Sequence, residues 1–157
     1  MEKLNKFTKK INRVYYFLFK ERFSKKLDLK FDNAKRWDLI QYLNSIYKFK
    51  SYLEIGCDDN QLFSKIDIPK KIGVDPVSGG NYKAKSDDFF SQNSEKFDLI
   101  FIDGLHEYSQ VKKDISNSLK FLNDKGFILV HDCLPRSLSA QAVPRYRNVC
   151  NGDVWKA

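Results

Sequence analysis

Two continuous apolar runs, FDLIFIDGLH (Phe97–His106) and GFILVHDC (Gly126–Cys133), constrain this chain more than any other feature. An uninterrupted apolar strand is covered on both faces, which is the situation of a parallel sheet sandwiched between helices. Each run then breaks into acid and imidazole: Asp103 with His106, and His131 with Asp132. In an open α/β sheet, ligands bind beyond the carboxyl ends of the strands. Were the two runs neighbours, two carboxylates and two imidazoles would converge on one cleft, a pattern expected of an enzyme.

The rest of the chain from Ser51 fits the same alternation. SYLEIGC reads as a first strand, Gln61–Ile66 as a short helix with Leu62, Phe63 and Ile66 inward, and KKIGVDP as a second strand stopped by Pro76. A loop with Gly79 and Gly80 leads to a weak third strand around Tyr82–Lys85, then a short helix at Asp88–Asn93. Phe97–Asp103 is the fourth strand. Glu107–Leu122 is a helix with Val111, Ile115, Leu119 and Leu122 inward, and Gly126–Asp132 is the fifth strand. Such alternation predicts an α/β, Rossmann-like, doubly wound and mostly parallel sheet of about five strands. Beyond Pro135 the sequence is loop-like.

Two helices precede this region. Leu4, Phe7, Ile11, Val14 and Leu18 make one apolar stripe at spacings of three and four, with Lys and Arg on the other faces. Such a helix either lies on a membrane surface or packs on the domain with a solvated basic back, and packing is the simpler expectation. A second helix from Ala34 to about Tyr47 presents Trp37, Ile40, Leu43 and Tyr47, with Asp32 or Asn33 as N-cap. The organisation expected is a basic helical leader over 1–33 and a Rossmann-like domain over 34–157.

Charge separates the same two parts. Residues 1–36 hold twelve Lys/Arg against four Asp/Glu, and the remainder holds sixteen of each, so the whole net charge of +8 sits in the leader. The globular part is therefore not a nucleic-acid-type basic domain. Three cysteines (Cys57, Cys133, Cys150) without CxxC spacing read as reduced intracellular thiols. The longest apolar run near the start, Val14–Phe19, is too short to span a bilayer, and no cleavage site follows it. A cytoplasmic location is the expectation.

The first βα turn narrows the ligand. It reads Glu54-Ile-Gly56-Cys-Asp58-Asp-Asn60, where a dinucleotide site requires G-x-G-x-x-G so that backbone can approach a pyrophosphate. A single glycine and two acids disfavour phosphate, and with it a nicotinamide oxidoreductase. A cationic, phosphate-free ligand suits the turn better, and S-adenosylmethionine is one, with Glu54 placed to meet its ammonium. Asp75 follows Gly56 by nineteen residues, the interval at which an acid grips a ribose diol.

Taken together, YLEIGC, GVDPVSGG, SDDFF, FDLIFIDGLHEY, ILVHDC and NGDVWKA resemble the class I S-adenosylmethionine-dependent methyltransferases, in the branch whose fourth strand ends in Asp-Gly-x-His. The resemblance covers about Ser51–Ala157. It implies that Glu54 and Gly56 hold the methionine part of the cofactor, Asp75 the ribose and Asp87 the adenine amino group, with Asp103 beside the sulfonium. In two respects the chain departs from the family. Asp58 and Asn60 stand where later glycines are usual, and two further strands would be expected after the fifth, so the chain resembles a member cut off at its C-terminus.

The chemistry implied is methylation of a hydroxyl on a small molecule or sugar. Positioning supplies much of such a rate, and a general base adds about 10²–10⁴-fold. His106 is the candidate base, because imidazole titrates near neutrality. In related O-methyltransferases, acids at these strand ends bind a divalent cation, so Asp103 and Asp132 are candidate Mg2+ ligands, with His131 as a further ligand or a supporting partner. Cys133 is expected to be a buried small residue, and Asn151, Asp153 and Trp155 are candidates to line an acceptor pocket. A competing reading is a non-catalytic domain that binds S-adenosylmethionine or acts as an interaction module. The expected partners are the acceptor, a weak membrane-surface contact through the leader, and a second copy of the chain, with no nucleic acid.

Overall fold

The computed structural model describes residues 6–20, 34–143, 145 and 151–157. Its centre is a four-stranded, all-parallel sheet of β1 (Ser51–Ile55), β2 (Lys70–Val74), β3 (Phe97–Ile102) and β4 (Leu122–Val130), in the order β2-β1-β3-β4. The helices are α1 (Lys6–Tyr15), α2 (Arg36–Tyr47), α3 (Ser86–Gln92) and α4 (Tyr108–Lys120). The α/β, Rossmann-like expectation holds. Among the described residues the sheet has four strands where about five were expected, because the weak segment near Tyr82 contributes only one isolated bridge to Val74. Polar Asn81, Lys83 and Lys85 leave that segment too little apolar surface to extend the sheet.

Side-chain alternation sends the apolar runs into two cores. Tyr52, Leu99 and Phe101 join Ile40, Phe49, Leu62, Phe63 and Ile66 on one face, with Trp37, Leu43, Phe127 and Leu129 packed against them. Leu53, Ile55, Phe97, Ile100 and Ile102 join Val74, Phe89 and Phe90 on the other, with Ile115, Ile128 and Val130 alongside. Covering on both faces is why β1 and β3 need no polar alternation.

Boundaries shift where local chemistry intervenes. Lys35, rather than Asp32 or Asn33, occupies the N-cap of α2, and its N–H donates to Asp38 at 2.7 Å. Asp32 and Asn33 themselves lie outside the described residues, as do Leu4 and Cys150. The short helix expected over Gln61–Ile66 is a single 3-10 turn at Phe63–Lys65, with Leu62, Phe63 and Ile66 buried as expected. Leu119 is exposed, and Leu122 opens β4 instead of closing α4. Past β4 the described residues hold two 3-10 turns, Ser139–Gln141 and Val154–Lys156, and no strand.

The chain divides into two compact units that do not follow the linear split at residue 33. One contains the sheet, α2, α3 and most of α4 (34–105 and 111–131). The other groups the described leader with His106–Gln110 and the segment from Asp132 onward. In this second unit the leader's apolar stripe is not covered: Phe7, Ile11, Val14 and Leu18 are exposed, contrary to the expectation of packing. Among the described residues, no helix is long and apolar enough to cross a membrane.

Candidate functional site

In the sheet unit, the turn after β1 is built on an unusual backbone. Gly56 has φ +86°, and a Cβ there would lie 2.3 Å from the Asp103 carbonyl oxygen, so only glycine lets the ends of β1 and β3 approach. Asp58 (φ 46°) and Asn60 (φ 64°) are also left-handed. The positions where the resemblance expects glycines thus keep a glycine-like backbone, carried by the two residue types that tolerate it best. Asn60 adds a contact that glycine lacks, since its Oδ1 accepts the Gly80 N–H at 2.6 Å.

Asp75 holds this turn together. Its Oδ2 accepts the N–H groups of Cys57 and Asp58 at 3.1 and 3.0 Å, and its Oδ1 those of Val77 and Ser78 at 2.8 and 2.9 Å. A carboxylate offers about four lone-pair directions, and four amides occupy them. Burial alone would raise this carboxyl, but the four amides outweigh it and hold it below its usual range. A ribose diol could therefore reach Asp75 only by displacing an amide. The same bonds remove the Cys57 and Asp58 N–H groups from any phosphate, while the N–H of Asn60 goes to the Cys57 carbonyl and that of Gln61 to Asp59.

Glu54 is 1% exposed and lies on the α2 face of the sheet, where the Tyr52 hydroxyl donates to its Oε2 at 2.6 Å. Burial pushes its carboxyl up to about 7, against smaller opposing effects from the Tyr52 hydrogen bond and the Arg36 charge. Burial also pushes the Tyr52 hydroxyl and the Cys57 thiol far up, so neither ionises near neutral pH.

Asp103 follows β3 and lies between the Arg36 guanidinium and the His131 imidazole. Arg36 Nη1 donates to its Oδ2 at 2.5 Å, and His131 Nδ1 lies 3.2 Å from its Oδ1. Arg36 was not singled out from the sequence. A signal existed: an arginine in the first turn of a helix opposes the macrodipole, so its place there calls for a specific partner. Asp87, in the first turn of α3, is exposed and faces Lys113 at 3.5 Å.

The second unit holds its own acid–imidazole pair. His106 Nδ1 is 3.0 Å from Asp132 Oδ2, with the imidazole only 11% exposed. Asn151 Nδ2 donates to Asp132 Oδ1 at 2.9 Å, so the carboxylate is fixed from both sides. Asp132 sits at φ 58°, a strained backbone for a residue with a side chain. Gly152 (φ +66°) lies directly under His106, and a Cβ there would fall within 1.9 Å of the His106 carbonyl oxygen. Asp153 accepts the Tyr108 N–H at 2.7 Å, tying the end of the chain to the start of α4. Trp155 is exposed. Cys133 is exposed rather than buried, and partial desolvation together with the Asp132 charge pushes its thiol up, away from thiolate character.

The acids and imidazoles thus form two pairs, one in each unit, and each imidazole takes the carboxylate of the other strand's box. Both acids proposed as metal ligands already have partners: Arg36 and His131 for Asp103, His106 and Asn151 for Asp132.

Residues 73–133 match the family model described as a methyltransferase domain. That stretch takes in Asp75, Asp87, Asp103, His106, His131 and Asp132. No curated protein matches the chain. Among solved structures, an SAH-bound methyltransferase of Podospora anserina is similar at 16% identity and a TM-score of 0.49, over 96% of this chain and 81% of that chain.

Proposed function

We propose that this chain is a class I S-adenosylmethionine-dependent methyltransferase that methylates a hydroxyl group on a small molecule or sugar; the match of residues 73–133 to a methyltransferase-domain model supports the reading. The single observation that carries the reading beyond the family is the His106–Asp132 pair, buttressed by Asn151. A carboxylate beside Nδ1 favours the tautomer protonated there, which leaves Nε2 as the basic nitrogen for an acceptor hydroxyl. The bound cofactor would supply an electrophilic methyl group on a sulfonium.

The residues of the β1 turn fit such a ligand. Glu54 is a buried acceptor suited to an ammonium group, and the turn's amides are turned inward, which suits a nucleoside without phosphate. Gly56 keeps the turn open at the end of β3. Asp103, paired with Arg36, would offer a bound sulfonium an electrostatic dipole rather than a net charge. Asp87 is the candidate for the adenine amino group, and Asp75 serves the nucleoside chiefly by shaping the loop around it. The donor set does not favour Mg2+, which demands a near-octahedral oxygen shell. A guanidinium 2.5 Å from Asp103 opposes a dication there.

Calorimetric titration with S-adenosylmethionine, followed by a methyl-transfer assay over a panel of hydroxyl acceptors, tests the proposal. Binding with turnover supports it, and His106→Ala should then lower turnover about 10²–10⁴-fold while leaving cofactor affinity unchanged. Equal losses in affinity and turnover would remove His106 as the base. Binding with no turnover on any acceptor would favour the non-catalytic reading, and absence of binding would overturn both.

A further inference from the structure

We propose that the leader is an interfacial anchor that docks the protein on an anionic lipid surface. On α1, Phe7, Ile11 and Val14 recur at spacings of four and three and form one stripe, and all three are exposed, Phe7 at 70%. Lys9, Lys10 and Arg13 occupy the remaining faces and are exposed as well. Residues 6–20 contain no Asp or Glu. A helix with an uncovered apolar stripe and a basic back free of acids is built to lie in the plane of a lipid headgroup region.

The π-helical turn that continues α1, Tyr16–Lys20, favours lipid over a protein groove. Phe17, Leu18 and Phe19 are consecutive and all exposed, at 66%, 45% and 63%. Consecutive helical residues point in different directions, so a groove that matched one face would leave the others in water. A headgroup layer surrounds the segment and can receive all three. Charge argues the same way. Residues 1–33 hold ten Lys/Arg against four Asp/Glu, +6 of the net charge of +8, whereas residues 37–157 hold sixteen of each and are neutral. A second copy is a poor occupant, since its own leader would repel this one and the rest of its surface offers no net opposite charge. No described helix is suited to cross a bilayer, so the contact is superficial.

Vesicle co-sedimentation with the full chain tests this. Vesicles of phosphatidylcholine alone are compared with vesicles in which about a third of the lipid is phosphatidylserine, at low salt and at about 1 M salt. The expected result is strong pelleting with phosphatidylserine vesicles, little with phosphatidylcholine, and loss at high salt, where the Debye length falls to about 3 Å. Each cation near an anionic surface contributes roughly fivefold in affinity, so Lys9→Gln, Lys10→Gln and Arg13→Gln together should weaken binding about a hundredfold. Phe7→Ser with Ile11→Ser should weaken it at least about tenfold per residue. These side chains are exposed, so an unchanged thermal unfolding midpoint verifies that the variants fold. Equal binding to both vesicle types, no binding to either, or unchanged binding by the triple variant overturns the proposal. So does sedimentation velocity showing a dimer that Phe7→Ser/Ile11→Ser dissociates. Methyl transfer in solution is measured separately, so failure here leaves the activity unaffected.

Discussion

Replacing Glu54 by Gln should stabilise the protein at alkaline pH and do little at acid pH. The carboxyl is 1% exposed, and the Tyr52 hydroxyl donates to it in the sheet core. Burial lifts it from an ordinary 4.5 to about 7 in the fold. Between those values the folded state keeps a proton that the unfolded chain has released. Stability from this group is therefore fully present below pH 4.5, falls as pH rises, and is lost once pH passes about 7. A difference of about two and a half units corresponds to about 3 kcal/mol, an order-of-magnitude figure. Gln is neutral throughout and keeps an oxygen to accept the Tyr52 hydroxyl. Urea unfolding near pH 5 and near pH 8 reads the effect directly. The variant should exceed the parent by about 3 kcal/mol at the higher pH and by less than about 1 kcal/mol at the lower. A variant less stable at both, or a gap that does not move with pH, would refute the burial argument. The same proton links to ligand binding: an ammonium group meeting Glu54 needs it ionised, so S-adenosylmethionine affinity should strengthen as pH rises toward 7.

Asp75→Asn turns one acceptor oxygen into a donor facing two backbone N–H groups, and should cost about 2–6 kcal/mol at neutral pH in urea unfolding. Because this carboxyl is held below its usual range, the loss relative to the parent should shrink as pH falls into the strongly acidic range. Gly152→Ala forces a left-handed Ala against the His106 carbonyl and should cost at least about 1–2 kcal/mol of stability by thermal unfolding, with a larger fractional loss of turnover than of cofactor affinity. Chelator treatment should leave methyl transfer unchanged, and activity lost to chelator and restored by Mg2+ would overturn the reading of Asp103 and Asp132 as residues engaged by protein partners.

The sheet was legible because its strands announce themselves twice, by apolar-rich runs and by acids or glycine at their carboxyl ends. SYLEI and FDLIFI are covered on both faces, and nothing competes with that pattern. The segment at Tyr82 was overread because one aromatic between polar residues cannot hold a ladder, and only its bridge to Val74 survives. Leu119 was overread for a different reason. Helical spacing says which residues share a stripe but not where a helix stops, and α4 ends at Lys120 so that Leu122 can enter β4. Site partners were the least legible part. His106 and Asp132 were each visible at a strand end, yet their pairing depends on backbone placement that no spacing encodes. Arg36 was hidden in the first turn of a helix read only for its apolar face.

The β1 turn shows how a departure from a family pattern can preserve its physics. Glycines in such a turn do two things: they permit positive φ and leave amides open toward a ligand. Here the first role passes to Asp58 and Asn60, at φ 46° and 64°, because a short polar side chain lowers the cost of the left-handed region. The second role is abolished, since Asp75 takes the Cys57 and Asp58 amides that a phosphate would need. Asp58 and Asn60 in place of glycines thus keep the shape of the turn, while Asp75 takes up the amides an anion would use. On the proposed reading, that arrangement, more than the count of glycines, suits the turn to a sulfonium nucleoside rather than to a dinucleotide. It also makes Asp75 the residue on which the choice depends: were its carboxylate withdrawn, the Cys57 and Asp58 amides would lose the acceptor that now occupies them.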